Sequence, residues 1–278
     1  MRVILVPVAD RPECMRALKV AFDIAGKLDA NVYGCHIRAH SDSDLSVSAD
    51  SQSASSIDTK AQDSTASVAA HTLFANIAES QHYSVIKKPK LQAGAVWAEK
   101  VGSPDKVLAN IGPLADLIIV SRPKNKSSKL AQTFMQASLL NTARPVLVLP
   151  QSFKTSPGKC ISIAWNQSAE AAQAVSAAMP LLLKADQVNI ITCGSEAGIG
   201  PKSTQLASYL DAWGVKAKRI KASGTDDAKA ILQAYQNINS DLLVMGAYSH
   251  SRLRQSIFGG VTDYMLKHAN IPIFMLHS

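Results

Sequence analysis

The chain has little of what marks a specialised chemistry. Its four cysteines, Cys14, Cys35, Cys160 and Cys193, stand far apart, with no Cys-x-x-Cys pair and no His/Cys cluster at zinc spacing. A disulfide framework, a redox motif and a structural zinc site are thereby excluded, and buried thiols are the expectation. Aromatics make up only 5% of the residues, and no basic helix interleaves them with charge, which argues against nucleic acid as a partner despite a net charge of +8. The basic concentrations at Lys87, Lys88 and Lys90, at Arg122, Lys124, Lys126 and Lys129, and at Lys216, Lys218, Arg219 and Lys221 read as solvated surface. No apolar run approaches the roughly 18 residues that cross a bilayer. Met1 leads straight into Arg-Val-Ile-Leu-Val-Pro-Val instead of a basic segment, an apolar core and a cleavage site. A soluble, cytoplasmic protein with no membrane partner is expected. An apolar fraction of 47% rules out wholesale disorder, and 278 residues leave room for two domains of ordinary size.

What is present is a duplication. Ile4-Leu5-Val6-Pro7-Val8-Ala9 lines up with Ile161-Ser162-Ile163-Ala164-Trp165-Asn166, and the stretches that follow share Glu13/Glu170, Ala17/Ala174 and Ala21/Ala178 at the same offset of 157. Farther on, Asp116-Leu117-Ile118-Ile119-Val120 matches Asp241-Leu242-Leu243-Val244-Met245, and Ala143 to Val148 resembles Asn270 to Met275. The shortened offset is accounted for by one Ser-, Ala- and Asp-rich insertion, from Arg38 to about Ser67, expected as a mobile loop with a helix emerging from its end. Residues 151–158 lack periodicity and end in Pro157-Gly158, so they read as a linker between domains at 1–150 and 159–278.

Each half alternates short β-branched runs with helix-period stretches, the pattern of a parallel sheet covered by crossover helices. Strands are expected near 2–8, 30–37, 94–101, 115–121 and 145–149, and again near 160–165, 187–193, 215–222, 241–246 and 271–276. Helices are expected near 12–28, 60–82, 103–112, 130–142, 168–184, 202–213, 225–237 and 255–269. Helix starts are signalled by Ser103-Pro104-Asp105, by Thr225-Asp226-Asp227, and by Ser168 followed by Glu170. The fold class is α/β: two tandem five-stranded parallel sheets with helices on both faces. The closing runs Pro145 to Leu149 and Pro272 to Leu276 would be apolar sheet edges if exposed, so the two halves are expected to pack on each other through them.

In such a sheet, ligands bind beyond the carboxyl ends of the strands where the strand order reverses. The fourth strand of the second half runs into Gly246-Ala247-Tyr248-Ser249-His250-Ser251-Arg252-Leu253-Arg254-Gln255-Ser256-Ile257-Phe258-Gly259-Gly260-Val261-Thr262. Small residues, hydroxyls and a helix start come together there, and backbone N–H groups could hold a phosphate. On these residues the chain resembles a tandem universal stress protein. ATP-binding members of that family carry Gly-x2-Gly-x9-Gly followed by Ser or Thr after the fourth strand, and an Asp at the end of the first. Here the spacing is kept while the residues differ. Gly246 and Gly259 match the first and third glycines, Ser249 stands in place of the second, Gly260 stands in the hydroxyl position, and Asn166 replaces the Asp. The resemblance implies a nucleotide-binding-like fold, an internal pseudo-dimer, with a homodimer as a further assembly, and ATP or another adenine nucleotide as ligand. The implied site comprises Ala164, Trp165, Asn166, Ser168, Gly246, Ser249, His250, Arg252, Gly259, Gly260, Val261 and Thr262.

The first half departs further. Residues 121–129 contain no glycine, and Ala9 occupies the strand-end acidic position with Asp10 one residue late. It reads as a structural partner. His36 and His40 stand at His-x3-His spacing with Asp42 and Asp44 nearby, but the segment reads as a strand running into a flexible loop, where that spacing does not place ligands on a common helix face, and no metal is assigned to them. His250 lies beside two serines without a third, orienting carboxylate, so no catalytic set is assigned. The functional expectation is a non-catalytic stress-response protein whose second half senses a nucleotide or other small ligand. The alternatives are a ligand-free scaffold and a slow ATPase.

Overall fold

The computed structural model describes residues 1–38, 54–123, 128–151, 156–247 and 260–277. The chain divides into two compact units, Met1–Thr142 and Ala143–Ser278. The first contains β1 (Val3–Val8), α1 (Pro12–Leu28), β2 (Asn31–Arg38), α2 (Ala54–Ser80), β3 (Val85–Ile86), β4 (Ala95–Val101), α3 (Pro104–Ile111), β5 (Leu117–Ser121) and α4 (Lys129–Asn141). Its strands run in the order β3-β4-β2-β1-β5. Among the described residues its strands pair in parallel, with Val3 opposite Asn31 and Leu5 opposite Ile118. β1 and β5 are apolar along nearly their whole length because helices cover both faces, which leaves no polar alternation.

Local sequence explains the elements. Pro12 opens α1, where its missing N–H would have had no partner, and Asp29 closes it in the left-handed conformation at φ 51°. Between these ends Cys14, Ala17, Leu18, Ala21, Phe22 and Ala25 recur at helical spacing and are buried. Phe22 meets Phe74 of α2 at 5.8 Å and Tyr83 at 5.0 Å between ring centroids. Phe74 itself fits the notch left by Gly34 of β2, where a Cβ would come 2.5 Å from its ring. Burying one such phenyl contributes about 1.5–3 kcal/mol.

The second unit contains β6 (Val146–Leu149), β7 (Cys160–Trp165), α5 (Ala169–Leu182), β8 (Gln187–Cys193), α6 (Ser203–Ala212), β9 (Ala217–Ala222), α7 (Asp227–Asn237), β10 (Leu242–Gly246), α8 (Gly260–His268) and β11 (Ile273–Leu276). The order here is β6-β11-β10-β7-β8-β9, and β6 runs antiparallel to β11, with Leu147 opposite Phe274. Both closing strands are thus provided with a partner.

The fold is α/β with mostly parallel strands, as the periodicities require. Two details differ from the expectation of five parallel strands per half. The first unit gains the two-residue β3, too short to leave a pattern, and β6 groups with the second unit as an antiparallel member. α2 starts at Ala54, earlier than expected, so part of the presumed insertion is helix, while residues 39–53 lie outside the described residues. In the linker, 152–155 lie outside them too.

The equivalent residues Asp116 and Asp241 do the same work in each unit. Asp116 accepts from the backbone N–H groups of Arg2 and Val3 at 2.5 and 3.0 Å. Asp241 accepts from those of Gly158, Lys159 and Cys160 at 2.9, 2.9 and 3.2 Å. Each carboxylate fastens the start of a central strand to the start of its neighbour.

Candidate functional site

β7 ends at Trp165, which is buried and donates its indole N–H to the carbonyl of Pro201 at 2.9 Å. Asn166 follows, exposed, and its Oδ1 accepts from the N–H of Ser168 at 3.2 Å, closing a side-chain turn. The Ser168 hydroxyl then accepts from the N–H of Ala171 at 3.1 Å and caps α5, with Glu170 in the first turn. Ala164 and Trp165 are strand core, so the exposed polar groups of the strand end are Asn166 and its successors.

β10 reaches the same place. A Cβ on Gly246 would lie 2.6 Å from the Ala171 nitrogen and 2.7 Å from the Glu170 carbonyl carbon. Only a glycine lets the end of β10 touch the first turn of α5, the helix that Ser168 caps, so Asn166, Ser168 and Gly246 come together beyond the carboxyl ends of β7 and β10. That is where the strand order reverses. α8 begins at Gly260, at which a Cβ would meet nothing within 4 Å. Val261 is half-buried, and Thr262 is buried at 5% exposure, facing the core. Ser249, His250, Arg252 and Gly259 lie outside the described residues.

Sequence reasoning passed over Gln167. It sits at φ 63°, a region that non-glycine residues enter at a cost of about 1–3 kcal/mol. Its carboxamide spans to the loop after β8: Nε2 donates to the carbonyls of Gly200 at 2.7 Å and Gly198 at 3.4 Å, and Oε1 accepts from the Gly198 N–H at 3.2 Å. Earlier in that loop, Glu196 accepts from the N–H and hydroxyl of Ser203 at 2.5 and 2.8 Å and so holds the start of α6. The available signal was the run Gly194-Ser195-Glu196-Ala197-Gly198-Ile199-Gly200, three glycines between a strand and a helix.

The corresponding crevice of the first unit is built differently. Ser121 stands where Gly246 does, and its hydroxyl donates to the Glu13 carbonyl at 2.7 Å, so a side chain intervenes between strand end and helix start. Pro7, Arg11, Cys14, Val120, Leu130 and Phe134 are among the residues that line a mainly apolar cleft there. Burial pushes the Cys14 thiol up to about 11 despite a bond from the Ala9 N–H, and lowers Arg122, next along the chain from Ser121, to about 10.

The remaining candidates are placed plainly. His36 is buried, its Nδ1 lies 2.9 Å from the Val8 carbonyl, and its ring stacks on Trp97 at 6.3 Å. His40, Asp42 and Asp44 lie outside the described residues. Among the described residues no group of three His, Cys, Asp or Glu side chains could hold a metal, and no helix is long and apolar enough to cross a membrane. All four cysteines are free; Cys14 and Cys35 are buried as expected, whereas Cys160 and Cys193 are only half-buried.

Residues 161–277 match the family model described as the universal stress protein family. A universal stress protein of Synechocystis sp. is 27% identical over 172 residues, 57% of this chain and 56% of that protein, so the match spans about half the relative's length. The solved structure of a universal stress protein from Archaeoglobus fulgidus DSM 4304 is similar over 99% of this chain and 97% of that one, with a TM-score of 0.72 at 18% identity. A functionally unknown protein from Pseudomonas aeruginosa PAO1 is similar over 99% and 92%, with a TM-score of 0.52 at 14% identity. At such identities the two structures speak for the fold alone. The second half thus matches the universal stress protein family model, and the chain shares the fold of these structures over its whole length.

Proposed function

We propose that this protein is a non-catalytic stress-response protein whose second half takes up an adenine nucleotide, or a small ligand of related chemistry, in the crevice beyond β7 and β10. The observation that carries this reading is the contact of Gly246 with the first turn of α5, which joins the first glycine of the motif to Asn166 and Ser168 at one place. Asn166 would face the nucleoside, and the segment 246–262 would surround the phosphates with backbone N–H groups. The first half serves as a structural partner in an internal pseudo-dimer.

ATP titrated calorimetrically into the purified protein, after its bound nucleotides have been released by heat and identified, tests the reading. One site per chain is expected. Gly259→Asp should abolish binding, because it sets a carboxylate among phosphate oxygens. Ser249→Gly should tighten it about tenfold, or about 1.4 kcal/mol, by restoring the motif's second glycine. Undetectable binding by both wild type and Ser249→Gly would leave the scaffold reading. That second reading has its own support, since Asn166 and Gln167 already spend hydrogen bonds within the chain.

A further inference from the structure

The loop from Gly194 to Pro201 lies on the β7–α5 turn without an apolar anchor. Its one large apolar side chain, Ile199, is fully exposed. What holds it are the indole N–H of Trp165 on Pro201 and the three hydrogen bonds of the Gln167 carboxamide. Contact is close as well: a Cβ on Gly200 would come 1.9 Å from the Gln167 carbonyl oxygen. Gln167 adopts the left-handed conformation to make these bonds. Toward its amide, Gly198 presents one N–H donor and one carbonyl acceptor side by side. An adenine edge presents the same pair, and a glutamine side chain reads it with both ends of its amide.

We propose that Gln167 is a latch: in the ligand-free chain it holds the 194–201 loop over the nucleoside end of the crevice, and an adenine nucleotide enters by exchanging its base edge for the Gly198 peptide on the same carboxamide. The proposal rests on the nucleotide reading above and adds its regulation. The base edge replaces the two Gly198 bonds of the carboxamide, the bonds to Gly200 and Pro201 are given up to water or to the ligand, and the loop gives up no apolar burial in leaving. Until it leaves, only a fraction of the molecules is competent, and the apparent affinity is reduced by that fraction.

Two substitutions in the full chain separate the roles. Gly200→Ala puts a methyl group against the Gln167 carbonyl and unseats the loop while leaving the carboxamide intact; Gly200 is outside the positive-φ region, so alanine is tolerated by its backbone. Gln167→Ala removes latch and base reader together. Hydrogen exchange of the 194–200 amides should accelerate at least about tenfold in both variants, and in the wild type on addition of ATP. Calorimetry should find ATP bound about tenfold more tightly by Gly200→Ala than by the wild type, and no more tightly by Gln167→Ala. Unchanged exchange in both variants overturns the latch, as does equal ATP affinity of the wild type and Gly200→Ala. Absence of ATP binding from wild type, Ser249→Gly and Gly200→Ala alike would instead sink the nucleotide reading itself. Unaltered circular dichroism of both variants excludes unfolding as the source of faster exchange.

Discussion

Gly246 matches a glycine of the motif and Gly260 stands in its hydroxyl position, and in the folded chain the two glycines meet opposite surroundings. At Gly246 the space for a Cβ is filled by backbone atoms of α5, which cannot swing aside, so Gly246→Ala should lower stability by about 1–3 kcal/mol in urea denaturation. At Gly260 the space is open, and Gly260→Ala should be neutral or stabilising by up to about 1 kcal/mol. Their positions could be read from the sequence, because a glycine ending an apolar run stands out; what each glycine is for could not, since that depends on a helix 75 residues back in one case and on empty space in the other. Gln167 escaped notice for a related reason, as nothing in its neighbours announces that its partner is a loop after the next strand. The cysteines make a second prediction. Burial raises Cys14 to about 11 and Cys35 to about 12, with the charge of Lys100 opposing in Cys35, so neither thiol forms its thiolate near pH 8. Iodoacetamide should label Cys160 or Cys193 of the native protein first, as read by mass spectrometry. The sign for stability follows: a folded pKa above the unfolded value of 9.0 leaves the full contribution below pH 9 and loses it as pH rises toward 11. The melting temperature should decline across that window, and less steeply in Cys14→Ala.

At the scale of elements, helix starts were the most legible feature, though the atom responsible was not always the expected one. Ser168 caps α5 as read from the sequence. For α7 the cap is Asp226, which accepts from the N–H groups of Ala228 and Lys229 at 3.1 and 3.2 Å, with Thr225 standing outside. Ser103 has the backbone of a cap without a capping bond, and its hydroxyl serves the carboxylate of Asp105, whose pKa it lowers. Adjacent Ser, Thr and Asp all compete for the same N–H groups, and the winner is decided by the approach of the preceding chain. Strand starts depend on Asp116 and Asp241, which the internal match revealed as equivalent without showing their partners. Removing the carboxylate of Asp241 leaves three backbone N–H groups at the start of β7 without it. Asp241→Ala should therefore cost about 1–3 kcal/mol, checked by urea denaturation, and Asp241→Asn, which keeps one acceptor, should cost less.

For the whole molecule, chain order and spatial grouping part company at β6. Val146 to Leu149 precede the linker and match Ile273 to Leu276 in the repeat, which assigns them to the first half by sequence. In space they belong with the second unit, where Val148, Leu147 and Val146 stand opposite Ile273, Phe274 and Met275. A repeat match compares each segment with its counterpart and is blind to whether the two counterparts pair with each other. The consequence can be measured. A fragment of residues 159–278 keeps β11 hydrogen-bonded to β10 on one side and strips β6 from the other. The uncovered edge would carry Ile273, Phe274 and Met275, all fully buried in the intact chain, beside a row of unpaired backbone groups. Strands of that composition seek another strand. The fragment should dimerise through β11 or precipitate, and light scattering after size exclusion should find it larger than a monomer. A fragment of residues 143–278, which retains β6, should associate less at equal concentration. A stable, soluble monomer of 159–278 would mean that β11 tolerates exposure, and the pairing with β6 would then not be what keeps the sheet edge from aggregating.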